Sequence, residues 1–600
     1  MHLRPSGRGF DVLAIGCAGS MSVVEGVTLE GEDASGSVLD RRRWATPALL
    51  SLIVVLGAVV RIPGLTRGDL FYDDSLFALP ARASFSTALK MTGSAPGAML
   101  LQRSWTMLRP SATWFAQLLP LGAAVAGLVV LYALARSLGR PRWAALVMAG
   151  MGAASPAAIE YAVHLGEYEL AMLAAALLLL VTELVRRRTT PLGLMGLAVM
   201  SVMASVLAVE LVAVVLACWS ALVVLCLLER RQRAMTAAAG LVTVVLSGVV
   251  AVIVIGRLPT AVHATWVRAH LLVVAPLTSR HLSIVVGTAA AGLGHGLLGT
   301  PMARPQSLTR DLLTGTALDL ALLLALAEAL LLVVLLIPVA RSLVNEARAR
   351  DRSLLASALV VIVAIVLFLA GAAPLGSGRG DLVWYPAILA LVVVGVERLA
   401  RLVAPLLPSL RARSVGAVMA AVVVGIFAAR FAWHERAWYP NQDVSKLVKV
   451  IGPRLHPGDA IVVDRRNVAT WAFAGLSPFA IHTDRAVTTS APAGYSVSLD
   501  PPRVLAEVWV RRNPSTGTAP YAAAVRSVPG LRALPVSTTR VFEIGVTGWA
   551  VDPWAARRWG PTGRLLLPTA ADVALKAAGW RPTRWVNETT GVFSRVWLRR

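Results

Sequence analysis

The stretch LVAVVLACWSALVVLCLL, residues 211–228, holds no charge over its whole length and runs straight into ERRQR at 229–233. A bilayer core is crossed by about 20 apolar residues in a helix. This stretch has that length and character, and Arg sits at its end. The pattern recurs along the chain. Further apolar runs lie at 46–62, 114–135, 143–161, 168–185, 191–208, 235–256, 316–339, 354–373, 383–398 and 415–433. Together they predict an α-helical polytopic membrane protein with about eleven spans. Composition agrees. Hydrophobic residues make up 56% of 600 residues and charged residues 15%, against roughly 25% charged in an ordinary soluble chain. Mean hydropathy is +0.69. A soluble enzyme, a disordered chain and a fibrous repeat are excluded.

Charge then orients the spans. Lys and Arg total 57 against 33 Asp and Glu, a net +24. A balance this basic also suits nucleic-acid binding. The placement argues against it, because the Arg residues cluster in short connections, the positive-inside pattern. RRR at 41–43 sets the N-terminus inside. The later clusters are Arg136, Arg140 and Arg142; Arg186, Arg187 and Arg188; Arg230, Arg231 and Arg233; Arg341, Arg348, Arg350 and Arg352; and Arg398, Arg401, Arg411 and Arg413. All fall inside only if 281–299, an apolar segment rich in Gly, lies at the interface and does not cross. The expected division is a disordered cytoplasmic tail at 1–43, a membrane domain at 44–433 with outer loops 63–113 and 257–315, and an extracytoplasmic domain at 434–600. In that last part the apolar runs shorten to strand length: AIVVD (460–464), VFEIGV (541–546) and VFSRVWL (592–598). Helix-like stretches at 443–452, 502–512 and 569–579 lie between them. Such alternation predicts a small α/β domain. Cys17, Cys218 and Cys226 form neither a disulfide framework nor a zinc pattern.

Three outer connections carry the candidate chemistry. GDLFYDDSLFAL (68–79) follows the first span and sets Asp73 and Asp74 among Phe71, Tyr72, Leu76 and Phe77. Adjacent carboxylates repel, and an apolar setting favours one as a general base; a helix N-cap explains the pair equally well. SPAAIEYAVHLGEYEL (155–170) collects Glu160, Tyr161, His164, Glu167, Tyr168 and Glu169, either an active-site rim or a solvated turn. PLGSGRGDLVWYP (374–386) places Arg379 and Asp381 before a span, with Trp384 and Tyr385 where an aromatic belt is also expected. Glu210, near an outer break, and Glu328, mid-span, are weaker candidates.

The order and sidedness of these patches resemble the GT-C glycosyltransferases that use polyprenyl-phosphate sugars, relatives of protein O-mannosyltransferases and lipid A aminoarabinose transferases. Tyr72-Asp73-Asp74 matches the acidic pair after the first span; Ser155, Pro156, Tyr161 and Tyr168 match the next outer turn; GRGDLVWYP resembles the Arg-containing stretch before a late span. The tail after HPGDAIVVD looks like the outer domain of many actinobacterial members. Two positions depart: His164 stands where an acid is common, and Gly166 where Arg or Lys is common.

The resemblance implies a hexosyl- or pentosyltransferase of the plasma membrane. Asp73 and Asp74 would be catalytic, with Asp73 the preferred base. Glu160, Tyr161, His164, Tyr168, Arg379, Asp381 and Tyr385 would bind substrate. It implies a polyprenyl-phosphate-linked donor, a cell-envelope glycan, lipid or protein acceptor, membrane lipids and no nucleic acid. It leaves open a divalent cation, Mg2+ or Mn2+, at Asp73 and Asp74. Alternatives are an envelope-polysaccharide polymerase or flippase, and a non-catalytic membrane scaffold whose outer domain binds glycan or a partner.

Overall fold

The computed structural model describes residues 36–66, 95–109, 113–229, 232–256, 352–369, 382–403, strand segments between 460 and 599, and isolated positions including Asp74. The expected spans 316–339 and 415–433, the interfacial segment 281–299, and Asp73, Arg379, Asp381 and Glu328 lie outside the described residues. The chain forms two units, Met1–Ala48 and Leu49–Arg600. The described part of the first is one end of a helix, α1 (Gly36–Val59).

The second unit continues α1 into a short α2 (Ile62–Thr66), then α3 (Pro96–Thr106), α4 (Thr113–Ser137), α5 (Arg142–Ala154), α6 (Pro156–Glu160) and a 3-10 turn at Tyr161–Val163. α7 (Tyr168–Arg187), α8 (Pro191–Leu207), α9 (Leu211–Leu228), α10 (Arg233–Ile255), α11 (Leu355–Leu369) and α12 (Tyr385–Val403) follow. Among the described residues, five segments are long and apolar enough to cross a membrane: Ala45–Leu65, Trp114–Ser137, Tyr168–Arg187, Leu211–Leu228 and Arg233–Ile255. These agree with the expected spans to within a few residues. Pro191–Leu207 and Arg352–Leu367 are shorter apolar helices.

The expected span 143–161 is not a straight helix. Arg142–Ala154 and Ala157–Val163 meet at 61°. Ser155-Pro156 is the cause. Pro156 has no N–H to continue the ladder, and the Ser155 hydroxyl accepts from the Ala158 N–H at 3.4 Å, opening α6 as an N-cap.

Inside a bilayer, lipid and side chains are equally apolar, so helices associate through close packing and buried hydrogen bonds. The core is built that way. Ala, Leu and Val make up most of the buried cluster around α4, α5, α7 and α9, with Trp219, Trp384 and Tyr385 as large fillers. Trp219 Nε1 donates to Ser201 Oγ at 3.1 Å, and Ser201 in turn donates to the Leu197 carbonyl at 2.7 Å. Both helices thereby satisfy their polar groups internally. Cys218 and Cys226 are buried thiols in α9.

One end of the bundle is tied by ion pairs. Arg140, after α4, meets Glu397 of α12 at 3.4 Å, and Glu397 also pairs with Arg401. Glu183 holds Arg186 at 2.7 Å and Arg187 at 3.0 Å, and Arg186 reaches Glu229 after α9 at 3.1 Å. Arg187 also donates to the Ser137 carbonyl. Among the described residues, Arg140, Arg186, Arg187 and Arg401 of the Arg-rich connections thus lie at one end of the bundle.

Beyond residue 459 the described elements are strands: β1 (Ala460–Asp464), β2 (Val487–Ser490), β3 (Ser496–Leu499), β4 (Ala506–Val510), β5 (Ala522–Val525), β6 (Arg540–Val546), β7 (Trp580–Thr589) and β8 (Val592–Arg599). Six make one sheet in the order β5-β4-β1-β6-β8-β7, and β2 pairs with β3 apart. β1 and β6 run parallel; the other pairs are antiparallel. β1, β6 and β8 fall where strands were expected. The helix expected over 502–512 is corrected: 506–510 is a strand. AEVWV alternates small or branched residues with Glu507 and Trp509, the period of two of a strand. Within the sheet, Trp597 Nε1 donates to buried Glu543 at 2.7 Å.

Candidate active site at the outer connections

At the bundle end opposite the ion pairs, the chain breaks between α5 and α6 and turns again between Tyr161–Val163 and α7. The second turn presents its donors to Asp74. His164 Nδ1 lies 3.1 and 3.0 Å from the two Asp74 oxygens, and the Leu165 N–H donates to Asp74 Oδ1 at 3.0 Å. A carboxylate only accepts, so Nδ1 carries the proton. Asp74 is 1% exposed and His164 9%. The Asp74 carboxylate thus reaches a turn 90 residues later in the chain. The solvated-turn reading of 155–170 fails, because Glu160, His164 and Glu169 are all buried.

Aromatic rings shape the same turn. The Tyr161 ring lies 5.4 Å from the His164 ring and 5.2 Å from the Tyr168 ring. Gly166 explains one departure from the expected pattern. Its φ is +149, and a Cβ built there would stand 2.8 Å from Tyr168 Cε2. A Lys or Arg at this position needs a strained backbone and a displaced ring. We expect Gly166→Lys to cost about 1–3 kcal/mol from backbone strain alone, read as a lower melting temperature of the purified protein. An unchanged melting temperature would show that the turn accommodates a side chain.

Beneath this turn is a second buried group, which the sequence reading did not assemble. Arg61, at the end of α1, is 1% exposed; Glu169 and Tyr385 are fully buried. These three act on one another electrostatically. Both Glu169 oxygens lack a hydrogen-bond partner among the described residues. Arg61 went unnoticed because it was counted within the first apolar run. The available signal was a lone Arg inside a span, which marks function or a buried partner by default.

Residues of all three candidate patches lie at this end of the bundle: Asp74; Glu160, Tyr161, His164, Tyr168 and Glu169; and Tyr385. Asp73, Arg379 and Asp381 lie outside the described residues, as do Arg67, Arg82 and Lys90 of the first outer loop. In that loop Arg109 stacks over Trp114, with Cζ 5.1 Å from the ring centroid. No group of three metal-ligating side chains converges among the described residues. The two Asp74 contacts given above are N–H donors, and Asp73 lies outside the described residues.

No family model matches the chain, and no curated protein is similar to it. Among solved structures, it is similar to ArnT from Cupriavidus metallidurans in the apo state, at 14% identity and a TM-score of 0.47, covering 92% of this chain and 98% of that one. ArnT from the same organism bound to undecaprenyl phosphate gives 13% identity and a TM-score of 0.46, over 91% of this chain and 97% of that one. The Archaeoglobus fulgidus oligosaccharyltransferase tethered to an acceptor peptide gives 12% identity and a TM-score of 0.39, over 68% and 57% of the respective chains.

Proposed function

We propose that the protein is a multi-pass membrane glycosyltransferase that moves a sugar from a polyprenyl-phosphate carrier to a cell-envelope acceptor. In this reading the Arg-rich end of the bundle faces the cytoplasm, the Asp74 end faces outward, and 434–600 is an extracytoplasmic domain. The observation that carries it is the Asp74–His164–Leu165 contact. It joins the connection after the first span to a Tyr-lined turn, at the bundle end away from the basic face.

The chemistry follows from the residue types. Asp73 adjoins Asp74 in sequence, and Asp74 is held by two donors. Asp73 is the carboxylate left to take a proton from the acceptor hydroxyl. The hydroxyl oxygen attacks the anomeric carbon, the bond from that carbon to the phosphate oxygen breaks, and the configuration inverts. The leaving phosphate needs no general acid, because its second ionisation lies near pH 6. It does need positive charge beside it. Arg379 is the candidate for that task, with His164 a second one in its imidazolium form, donating through Nε2 while Nδ1–H stays on Asp74. Gly166 removes the basic residue that the family pattern would supply. Glu160, Tyr161, Tyr168, Asp381 and Tyr385 would line the donor sugar and its phosphate. No step passes through a metal.

Lipid extraction and mass spectrometry of the purified protein tests the class and the donor together. A co-purified prenyl monophosphate sugar is the expected result. A lipid-linked oligosaccharide would replace this reading with a polymerase or flippase. Absence of any prenyl lipid, with the isolated protein binding cell-wall glycan instead, would replace it with a scaffold.

A further inference from the structure

We infer that Arg61 is a positioning residue, which supplies the hydrogen bonds that Pro156 withholds and so fixes the bend that carries His164 and Leu165 to Asp74. The argument starts from backbone accounting. In a continuous helix the Gly152 carbonyl accepts from the N–H of residue 156. That residue is Pro, with no N–H to give. The bend after Ala154 then removes the Ala153 carbonyl from the helical ladder as well. An unsatisfied carbonyl at membrane depth costs several kcal/mol in hydrocarbon, so some donor must reach it.

Arg61 is that donor. Its Nη2 donates to the Gly152 carbonyl at 3.0 Å and its Nη1 to the Ala153 carbonyl at 3.1 Å. Nη1 also donates to the Gly57 carbonyl at 2.6 Å. That last carbonyl is released because α1 tightens at its end, where the Arg61 N–H turns to Ala58. One planar fork therefore closes the ends of α1 and α5 together. The approach depends on small residues. A Cβ at Gly57 would stand 2.6 Å from Leu128 and 3.2 Å from the Ala153 Cβ; one at Gly152 would stand 2.7 Å from Leu131. Next along, Gly64 abuts Val163, where a Cβ would come within 2.6 Å. Val163 directly precedes His164. Glu169, in the first turn of α7, is fully buried as well.

The link to catalysis rests on the proposed transferase reading; the link to the bend does not. The test accordingly uses hydrogen–deuterium exchange of the full-length protein in lipid nanodiscs, with no substrate present. In Arg61→Met, exchange across 157–166, including the Leu165 amide held by Asp74, is expected to quicken about tenfold, as a local opening does. Exchange in α9 should stay unchanged. Arg61→Lys keeps the charge and loses the fork, and should fall between. The double variant Arg61→Met with Glu169→Gln removes both charges but leaves the carbonyls unserved, so exchange should stay fast. Wild-type exchange in Arg61→Met, an equal rise throughout α9, or protection restored in the double variant would each overturn the proposal. If Arg61→Met does not accumulate, Arg61→Lys carries the test, and wild-type exchange in it overturns the proposal. A failed transfer assay alone touches only the catalytic reading.

Discussion

Asp73→Asn is expected to lower sugar transfer in membranes by about 10²–10⁴-fold, the usual contribution of a positioned general base. Its melting temperature should match that of the parent, since the amide preserves shape and nothing in the proposed chemistry makes Asp73 a structural partner. Asp74→Asn should behave differently. Asp74 accepts from the Leu165 N–H and faces His164 Nδ1 from a buried position. Hydrogen bonds to a buried charge contribute about 1.5–3 kcal/mol each. The amide turns a donor toward a donor. Loss of transfer in Asp74→Asn should therefore come with a lower melting temperature. Transfer assays on membranes paired with melting curves on purified protein separate the two roles. Full activity in both variants would sink the mechanism.

The second large effect belongs to the opposite end of the bundle. Glu397→Ala leaves the Arg140 guanidinium without the carboxylate that it meets at 3.4 Å, with both side chains about 5% exposed. Breaking a buried pair from one side costs about 3–5 kcal/mol, enough to empty the folded population of a marginal protein. Arg401→Ala provides the contrast. That side chain touches the same Glu397 but is 65% exposed, and an exposed pair is worth about 0–1 kcal/mol. The expected outcome is a collapsed yield of folded Glu397→Ala and a near-normal yield of Arg401→Ala, read by size-exclusion chromatography in detergent. Equal yields would mean that Arg140 finds other partners when Glu397 is gone.

The spans were legible because each is set by local composition. Residues 211–228 and 168–187 announce themselves by length, apolar content and terminal charge. The break in 143–161 was also present in the sequence, in Ser155-Pro156. It was passed over because the apolar run continues across it, and hydropathy is blind to a missing N–H. β4 differs for another reason: a five-residue alternation inside 502–512 is short, and it becomes a strand through pairing with β1 and β5. The site divides the same way. That 72–74 and 155–170 matter follows from polar residues placed where spans end. That Asp74 meets His164 does not follow, because 90 residues separate them and only the packed bundle brings them together. Gly166 is the reverse case. In sequence it is a missing base; in the fold its backbone geometry and the Tyr168 ring account for it.

The order of strands in the six-stranded sheet has a consequence for biosynthesis. β8, the last described strand in sequence, is not at the rim; it lies between β6 and β7. β6 joins β1 on one flank and depends on β8 for the other. A ribosome that has made everything up to Thr589 has therefore produced a sheet with the long flank of β6 bare, the kind of open ladder that recruits stray chains. The finished rim is better guarded: β7 carries Pro582 and two register irregularities against β8. A chain cut short after Thr589 should thus lose far more solubility than the absence of the single strand β8 suggests.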